Sequence, residues 1–275
     1  MDRIRMIAMD LDGTLVQQDG SVLPDTVKAL KAASKKGIII ALASGRYPEN
    51  AGTIMLDNGL EGPVMGVNGA IIQDRPMGRT LYLHMIPRET ALEARACLDR
   101  LGARYILFSY KRVTTSHFGM THRSEINDGP RMERLGGISF DHGAEAVTKA
   151  LMTGVSKIFL PDQPNLEAIG RAVRTIPHLL VTRSNSRNIE LMPEGIHKGR
   201  GIAELARWLG IPLSAIMAFG DEENDLPMLT TVGYGFAMGN APEHVKAQCA
   251  YTTDSYDRNG IGNAIERYVL NGGQE

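Results

Sequence analysis

The strongest constraint on the fold of this chain is a series of short apolar runs separated by helical patterns. The clearest runs cover residues 4–9, 38–43, 64–67, 216–219 and 234–238. A strand with one face in water alternates apolar and polar side chains, so a nearly unbroken apolar run predicts a strand buried on both faces. Such strands, alternating with helices, are typical of a parallel sheet covered on both sides.

Helical patterns lie between these runs and support the same architecture. Residues 25–36 are predicted to form a helix that stops at Gly37. Apolar residues at positions 202, 205, 206 and 209 follow the helical repeat and predict a second helix, closed by Gly210. The sequence therefore predicts an α/β core of the Rossmann-like, doubly wound type.

The middle of the chain has a different pattern. Helical and strand-like segments alternate from residue 84 to residue 188, apart from a polar, Gly-rich stretch at 118–143 for which we predict no element. We therefore expect a discontinuous core domain, residues 1–83 and 189–275, interrupted by an inserted α+β domain, residues 84–188.

Composition excludes several classes of protein. The 275 residues include 30 Lys and Arg against 31 Asp and Glu, which leaves no basic footprint for nucleic acid or for a membrane surface. Cys97 and Cys249 lie far apart, which argues against a disulfide framework and a cysteine zinc site. The sequence shows neither a signal-peptide pattern nor an apolar run of about 18 residues. We expect a cytoplasmic protein whose oligomeric state the sequence does not indicate.

Polar segments follow four of the predicted strands, at residues 10–14, 44–46, 68–70 and 220–225. The carboxyl ends of parallel strands meet at one edge of the sheet, and ligands bind outside that edge. The four segments therefore predict a single site that combines carboxylates, a hydroxyl, an amide and backbone N–H groups.

The carboxylates of this predicted site indicate a metal ion. Asp10, Asp12, Asp221 and Asp225 would repel one another without a cation. Hard oxygen ligands without His or Cys favour Mg²⁺ over zinc. We expect Mg²⁺ to bind Asp10, the backbone oxygen of Asp12, and Asp221, with Asp225 as a further ligand.

The remaining groups indicate a phosphoryl substrate. Ser44 and Gly45, at a strand-to-helix turn, suit an anion held by backbone donors. Lys198 stands at the start of a predicted helix, where the helix dipole disfavours a cation, so we expect an anionic partner for it. Acid cluster, cation, anion site and lysine together are typical of phosphoryl transfer.

This chemistry assigns roles to the first two aspartates. Asp10 is predicted to attack phosphorus and form an aspartyl phosphate. Asp12, two residues further on, is predicted to protonate the leaving group and then to deprotonate the attacking water. Gly13 allows the tight turn that brings both groups together.

These segments resemble the motifs of a known family. Residues 10–15 resemble the DxDGT motif of the haloacid dehalogenase-like hydrolases, and Ser44-Gly45-Arg46 resembles their second motif. Lys198-Gly199 is similar to the third motif, and residues 220–228 to the fourth. Residues 68–70 and 238–241 are similar to further segments of the Cof-like branch, class IIB.

The resemblance implies a Mg²⁺-dependent phosphatase that acts on small phosphorylated metabolites, often sugar phosphates, with the inserted domain as a cap. Asn224, within the fourth motif, is expected to bind substrate phosphate together with Ser44 and Gly45. Ser44 stands where Thr is common, which keeps the hydroxyl. His197 precedes the motif lysine where a small or acidic residue is usual, and we expect it to be solvated loop.

Two other functions share parts of this pattern. A phosphosugar mutase or phosphotransferase has the same architecture but must exclude water until a sugar hydroxyl attacks. A receiver-like module that accepts phosphate without catalysis also combines acids, Mg²⁺, a hydroxyl and a lysine. Receivers are small and uninterrupted, so the inserted domain disfavours that alternative.

Overall fold

The computed structural model describes residues 3–117, 138–183 and 186–272. It divides the chain into two compact units. The first consists of Met1–Tyr82 and His197–Glu275, and the second of Leu83–Ile196. Most of the polar stretch without a predicted element, residues 118–137, lies outside the described residues.

The first unit is built on an eight-stranded sheet of order β14-β13-β12-β1-β2-β3-β4-β5. The strands from β14 to β3 pair in parallel, and β4 is antiparallel to β3. The strands are β1 (Met6–Met9), β2 (Ile39–Ala43), β3 (Val64–Gly66), β4 (Ile71–Gln73), β5 (Thr80–Leu83), β12 (Ile216–Gly220), β13 (Tyr234–Ala237) and β14 (Tyr251–Thr252).

Helices connect these strands. Gly37 and Gly210 follow α1 and α6 with positive φ angles, as the predicted helix ends require. The helices are α1 (Pro24–Lys35), α2 (Pro48–Asp57), α6 (Lys198–Leu209), α7 (Leu226–Leu229), α8 (Glu243–Lys246) and α9 (Gly260–Ile265), with short 3₁₀ segments at Val67–Gly69, Leu213–Ala215 and Tyr256–Arg258 and a π-helical turn at Glu266–Leu270.

Both faces of the parallel sheet are buried, which explains its apolar runs. Successive side chains of a strand point to opposite faces. Ile7 of β1 packs in one apolar cluster with Leu30 of α1. Its neighbour Ala8 packs in a second cluster with Ile202 of α6. The predicted doubly wound α/β fold is confirmed.

The second unit has its own sheet and its own core. Six strands have the order β10-β11-β9-β6-β7-β8, and every pair is antiparallel except β7 with β8. Its elements are α3 (Arg88–Arg100), β6 (Ile106–Ser109), β7 (Arg112–Thr115), β8 (Ser139–His142), α4 (Ala144–Thr153), β9 (Lys157–Leu160), α5 (Leu166–Val173), β10 (Leu179–Thr182) and β11 (Ile189–Pro193).

The end of the second unit differs from the sequence-based boundary at residues 188 and 189. Strand β11 pairs with β10 and β9, so it belongs to the inserted sheet, and the unit continues to Ile196. Ile189 and Leu191 pack in the core of that unit. None of the helices in the described ranges is long and apolar enough to cross a membrane.

The packing of the parallel sheet leads us to expect a large loss of stability when the ring of Phe236 is removed. Phe236 of β13 is buried and stacks on Phe219 and Tyr251, with ring centroids 5.2 and 4.9 Å away. We expect Phe236→Ala to lower the free energy of unfolding by about 3–5 kcal/mol, because it opens a cavity. Urea unfolding followed by circular dichroism measures the loss.

Trp208→Ala is the control for this prediction, because that ring is 50% exposed on α6. We expect it to lower the free energy of unfolding clearly less than Phe236→Ala does, because about half of the Trp208 side chain already lies in solvent. Equal losses for the two variants would contradict the packing described for β13.

Candidate active site

Three buried carboxylates meet at the carboxyl edge of the parallel sheet. Asp10 follows β1, and its backbone N–H donates to the carbonyl of Phe219 on β12, 3.0 Å away. Asp221 follows β12, and Asp225 precedes α7. Carboxylate oxygens of Asp10, Asp221 and Asp225 lie within 4.8 Å of one another. The parallel topology thus assembles the acid cluster from distant parts of the chain.

Lys198 connects two of these acids. Its Nζ donates to Asp10 Oδ1 at 2.7 Å and to Asp225 Oδ1 at 2.6 Å. The side chain is fully buried, at the first turn of α6. The anionic partner expected for this lysine is therefore the acid cluster itself.

The electrostatics of the cluster follow from burial. Burial raises the pKa of Asp10 to about 8, although the Lys198 ammonium opposes the shift. Burial also raises the pKa of Asp221 to about 7, with the charge of Asp225 adding to the effect. Burial lowers the pKa of Lys198, but Asp10 and Asp225 outweigh it, so the net pKa is raised and the lysine stays protonated.

This donor set fits a hard divalent cation. Three buried carboxylates face one ammonium, so their full ionisation requires further positive charge. All the side-chain donors are oxygens, which Mg²⁺ prefers. The cluster therefore satisfies the chemistry of the predicted magnesium site.

Asp225 accepts three hydrogen bonds from protein donors. Its Oδ2 accepts from the backbone N–H groups of Asp221 and Glu222 at 3.0 and 3.1 Å, while Lys198 holds its Oδ1. A Cβ at Gly220 would collide with the Asp225 side chain, so glycine is required there. Asp225 thus orders the loop that carries Asp221, and its role as a metal ligand stays a prediction.

Asp221 is held by two residues that were not among the predicted site residues. Its Oδ1 accepts from Thr14 Oγ1 at 2.8 Å, and its Oδ2 accepts from Asn240 Nδ2 at 3.1 Å. Asn240 Nδ2 also donates to the Gly13 carbonyl at 2.9 Å. Thr14 and Asn240 both lie within recognised motifs, which were the signal available in the sequence.

Gly13 is required for two reasons. Its φ of +76° lies in the left-handed region that side chains disfavour. A Cβ at this position would also collide with Asp221 Oδ2. The glycine therefore lets the turn after β1 approach the loop after β12.

The side chain of Asp12 lies outside the acid cluster. That side chain is 63% exposed. Arg46 donates to it from Nε at 2.9 Å and from Nη2. The role of the Asp12 backbone oxygen as a metal ligand stays a prediction.

The predicted phosphate-binding residues lie beside β2 and before α7. Ser44 is buried, and its Oγ accepts from the Arg46 backbone N–H at 3.1 Å. A Cβ at Gly45 would lie 3.0 Å from Asn68 Oδ1, so the loop is tightly packed. Asn224 is half-buried and makes no side-chain hydrogen bond within the described ranges. Their contact with phosphate stays a prediction.

His197 has a structural role that differs from the solvated loop expected from sequence. Its Nδ1 accepts from the Arg200 backbone N–H at 3.2 Å and caps α6. Burial, followed by the charge of Arg200, lowers the pKa of His197, which favours the neutral ring that can accept this bond. His197 thus fixes the start of the helix that presents Lys198.

Comparison with known proteins shows which family the chain resembles. A family model described as haloacid dehalogenase-like hydrolase matches residues 7–265. The HMP-PP phosphatase of Serratia proteamaculans is 30% identical over 247 residues, covering 88% of this chain and 86% of that protein. Phosphatase YwpJ of Bacillus subtilis is 26% identical over 291 residues, covering 97% and 100%.

Solved structures show the same relationship. A haloacid dehalogenase-like hydrolase from B. subtilis is 25% identical, with a TM-score of 0.81 over 97% of this chain and 100% of that one. The HAD subclass IIB sugar phosphatase BT4131 is 26% identical, with a TM-score of 0.79 over 96% and 98%.

The fold and the relatives together identify an α/β enzyme of the phosphatase type. The chain belongs to the haloacid dehalogenase-like hydrolases. The predicted family with its class IIB branch, the fold class and the assignment as an enzyme of this phosphatase group are confirmed.

Removing the buried ammonium is predicted to destabilise the protein. Lys198→Met leaves Asp10 and Asp225 buried beside each other without their shared counter-charge. We expect a loss of about 3–5 kcal/mol in the free energy of unfolding at neutral pH. Urea unfolding measures it, with Lys28→Met on the exposed surface of α1 as control. Equal stability of the two variants would contradict the role given to Lys198.

Asn240 is predicted to influence cation binding without touching the cation. In Asn240→Ala the Asp221 carboxylate loses one of its two orienting donors. Removing such supporting partners typically weakens metal binding about 10- to 100-fold. Calorimetric titration with Mg²⁺ measures the change, with the exposed Asn271→Ala as control. An unchanged Mg²⁺ affinity in Asn240→Ala would rule out this support.

Proposed function

We propose that this protein is a Mg²⁺-dependent phosphatase that hydrolyses phosphomonoesters of small metabolites, with sugar phosphates as the preferred class. The observation that carries the proposal is the Lys198 ammonium hydrogen-bonded to both Asp10 and Asp225 beside Asp221. The names of the HMP-PP phosphatase and the sugar phosphatase among its relatives support small phosphorylated substrates.

In the first step Asp10 acts as the nucleophile. Lys198 holds Asp10 Oδ1, which leaves Oδ2 to attack phosphorus. As the new O–P bond forms, the bond from phosphorus to the leaving oxygen breaks. That oxygen keeps the bonding electron pair and takes a proton from Asp12, so that a neutral alcohol departs and an aspartyl phosphate remains.

In the second step Asp12 acts as a base. A water oxygen attacks phosphorus while its proton passes to the Asp12 carboxylate. The bond between phosphorus and Asp10 breaks, and its electron pair returns to the Asp10 carboxylate. Inorganic phosphate leaves, and Asp12 again carries the proton that the next cycle needs.

The chain's own residues also provide the charge balance. Asp10, Asp221 and the Asp12 backbone carbonyl would hold Mg²⁺, which when bound offsets the negative charge shared by nucleophile and substrate. Lys198 keeps Asp10 oriented, and Asp225 keeps Lys198 and the Asp221 loop in place. Ser44, Gly45 and Asn224 bind the phosphoryl oxygens.

The inserted domain is proposed to select the substrate. Its separate sheet and core make it an independent module within the chain. The acid cluster lies in the first unit and would contact the phosphoryl group, which all phosphomonoester substrates share. Recognition of the alcohol part is therefore assigned to the inserted unit, as a cap.

Release of free phosphate from a panel of phosphorylated metabolites tests the proposal. We expect turnover with Mg²⁺, loss of turnover with EDTA, and recovery when Mg²⁺ is restored. Asp10→Asn should reduce turnover by at least about 10³-fold, because the amide is a poor nucleophile. Asp25→Asn, on the exposed first turn of α1, is the matched control.

Two results would contradict this function. Full activity of Asp10→Asn would rule out Asp10 as the nucleophile, and full activity in EDTA would rule out a requirement for Mg²⁺. Isomerisation of a sugar phosphate without phosphate release would favour the phosphotransferase alternative.

The cytoplasmic location stays a prediction, which cell fractionation tests.

A further inference from the structure

A forked ion pair joins the segments that follow β1 and β2. Arg46 Nε donates to Asp12 Oδ2 at 2.9 Å, and Arg46 Nη2 donates to Asp12 Oδ1. Two parallel N–H groups on two carboxylate oxygens fix both the position and the plane of the carboxylate. A single ammonium group cannot impose this geometry.

The guanidinium is itself anchored. Its Nη1 donates to Asn50 Oδ1 at 3.3 Å, and Asn50 is fully buried in α2. The Arg46 backbone N–H donates to Ser44 Oγ at 3.1 Å, and its carbonyl accepts from the Val67 N–H at 2.8 Å. Arg46 is therefore held by the buried core at its backbone and at its tip.

Asp12 depends on this one partner. Among the described residues, Arg46 is the sole donor to the Asp12 carboxylate. The Asp12 side chain is 63% exposed, so neighbouring atoms restrict its rotamers weakly. An ion pair this exposed contributes little to folding stability, so stability does not account for the fork.

We propose that Arg46 is a positioning residue, which holds the Asp12 carboxyl group where it can transfer its proton to the leaving oxygen. The inference deepens the proposed function and rests on Asp12 being the acid of the first step. A displacement of about 1 Å in such a group can cost about 100-fold in rate. Arg46 acts through Asp12, without a bond of its own to substrate.

Leaving-group dependence separates this role from a general structural one. An alkyl phosphate needs a proton on its departing oxygen, whereas 2,4-dinitrophenolate departs without one. Arg46→Ala should therefore lower kcat/KM about 100-fold for the alkyl phosphate. For 2,4-dinitrophenyl phosphate the loss should be several-fold at most. Arg46→Lys should recover only part of the loss, because it cannot form the fork.

A double-mutant cycle tests whether Arg46 acts through Asp12. Asp12→Asn should show the same leaving-group dependence, with a loss of about 10²- to 10⁴-fold for the alkyl phosphate. Arg46→Ala should then cause no further loss in the Asp12→Asn background. Arg207→Ala is the matched control, because Arg207 is exposed on α6 and donates from Nε and Nη2 to the Glu204 carboxylate.

The outcomes are distinct. A uniform loss for both substrates, or a further loss in the Asp12→Asn background, would overturn the inference and assign Arg46 to substrate binding or to structure. An Arg46→Ala variant that behaves like wild type would also overturn it. Should Arg46→Ala fail to fold, Arg46→Lys decides by the same comparison. If Asp12→Asn shows no leaving-group dependence, the acid assignment in the proposed function fails instead.

Discussion

The site depends on one buried ammonium, that of Lys198, placed between Asp10 and Asp225. Its position requires α6 to lie very close to the sheet and the loops beside it. A Cβ at Gly201 would lie 2.7 Å from the Gly69 Cα, and a Cβ at Gly199 would collide with the Pro227 carbonyl. Glycines at the start of α6 thus bring the lysine into contact with the acids, at a place where the helix dipole alone would disfavour it.

Parallel topology makes the concentration of charge possible and also makes it costly. Strands β1 and β12 are adjacent in the sheet, so Asp10 and Asp221 emerge side by side from opposite ends of the chain. Burial raises the pKa of both carboxyls, so the ionised cluster is stabilised by added positive charge. Lys198 provides part of this charge. The negative charge that it leaves uncompensated suits the cluster to a divalent cation.

Much of this arrangement could be predicted from sequence, because strands buried on both faces require apolar runs and polar residues must follow them at the ligand edge. The ends of α1 and α6 were predictable because Gly37 and Gly210 readily adopt the positive φ that follows a helix end. The predicted domain boundary at residue 188 differs from the end of the second unit at Ile196, because an apolar pattern does not say which sheet β11 joins. The bonds of Thr14, Asn240 and Arg46 depend on side-chain directions that only the folded chain fixes.

The central claim is that Asp10 carries the phosphoryl group during turnover. The most direct measurement uses Asp12→Asn with 2,4-dinitrophenyl phosphate, where formation of the ester needs no acid and its breakdown lacks a base. After acid quench and proteolysis, peptide mass spectrometry should find phosphate on Asp10, at a level that rises with dinitrophenolate release. Dinitrophenolate release with Asp10 unmodified, or with the phosphate on another residue, would contradict the account.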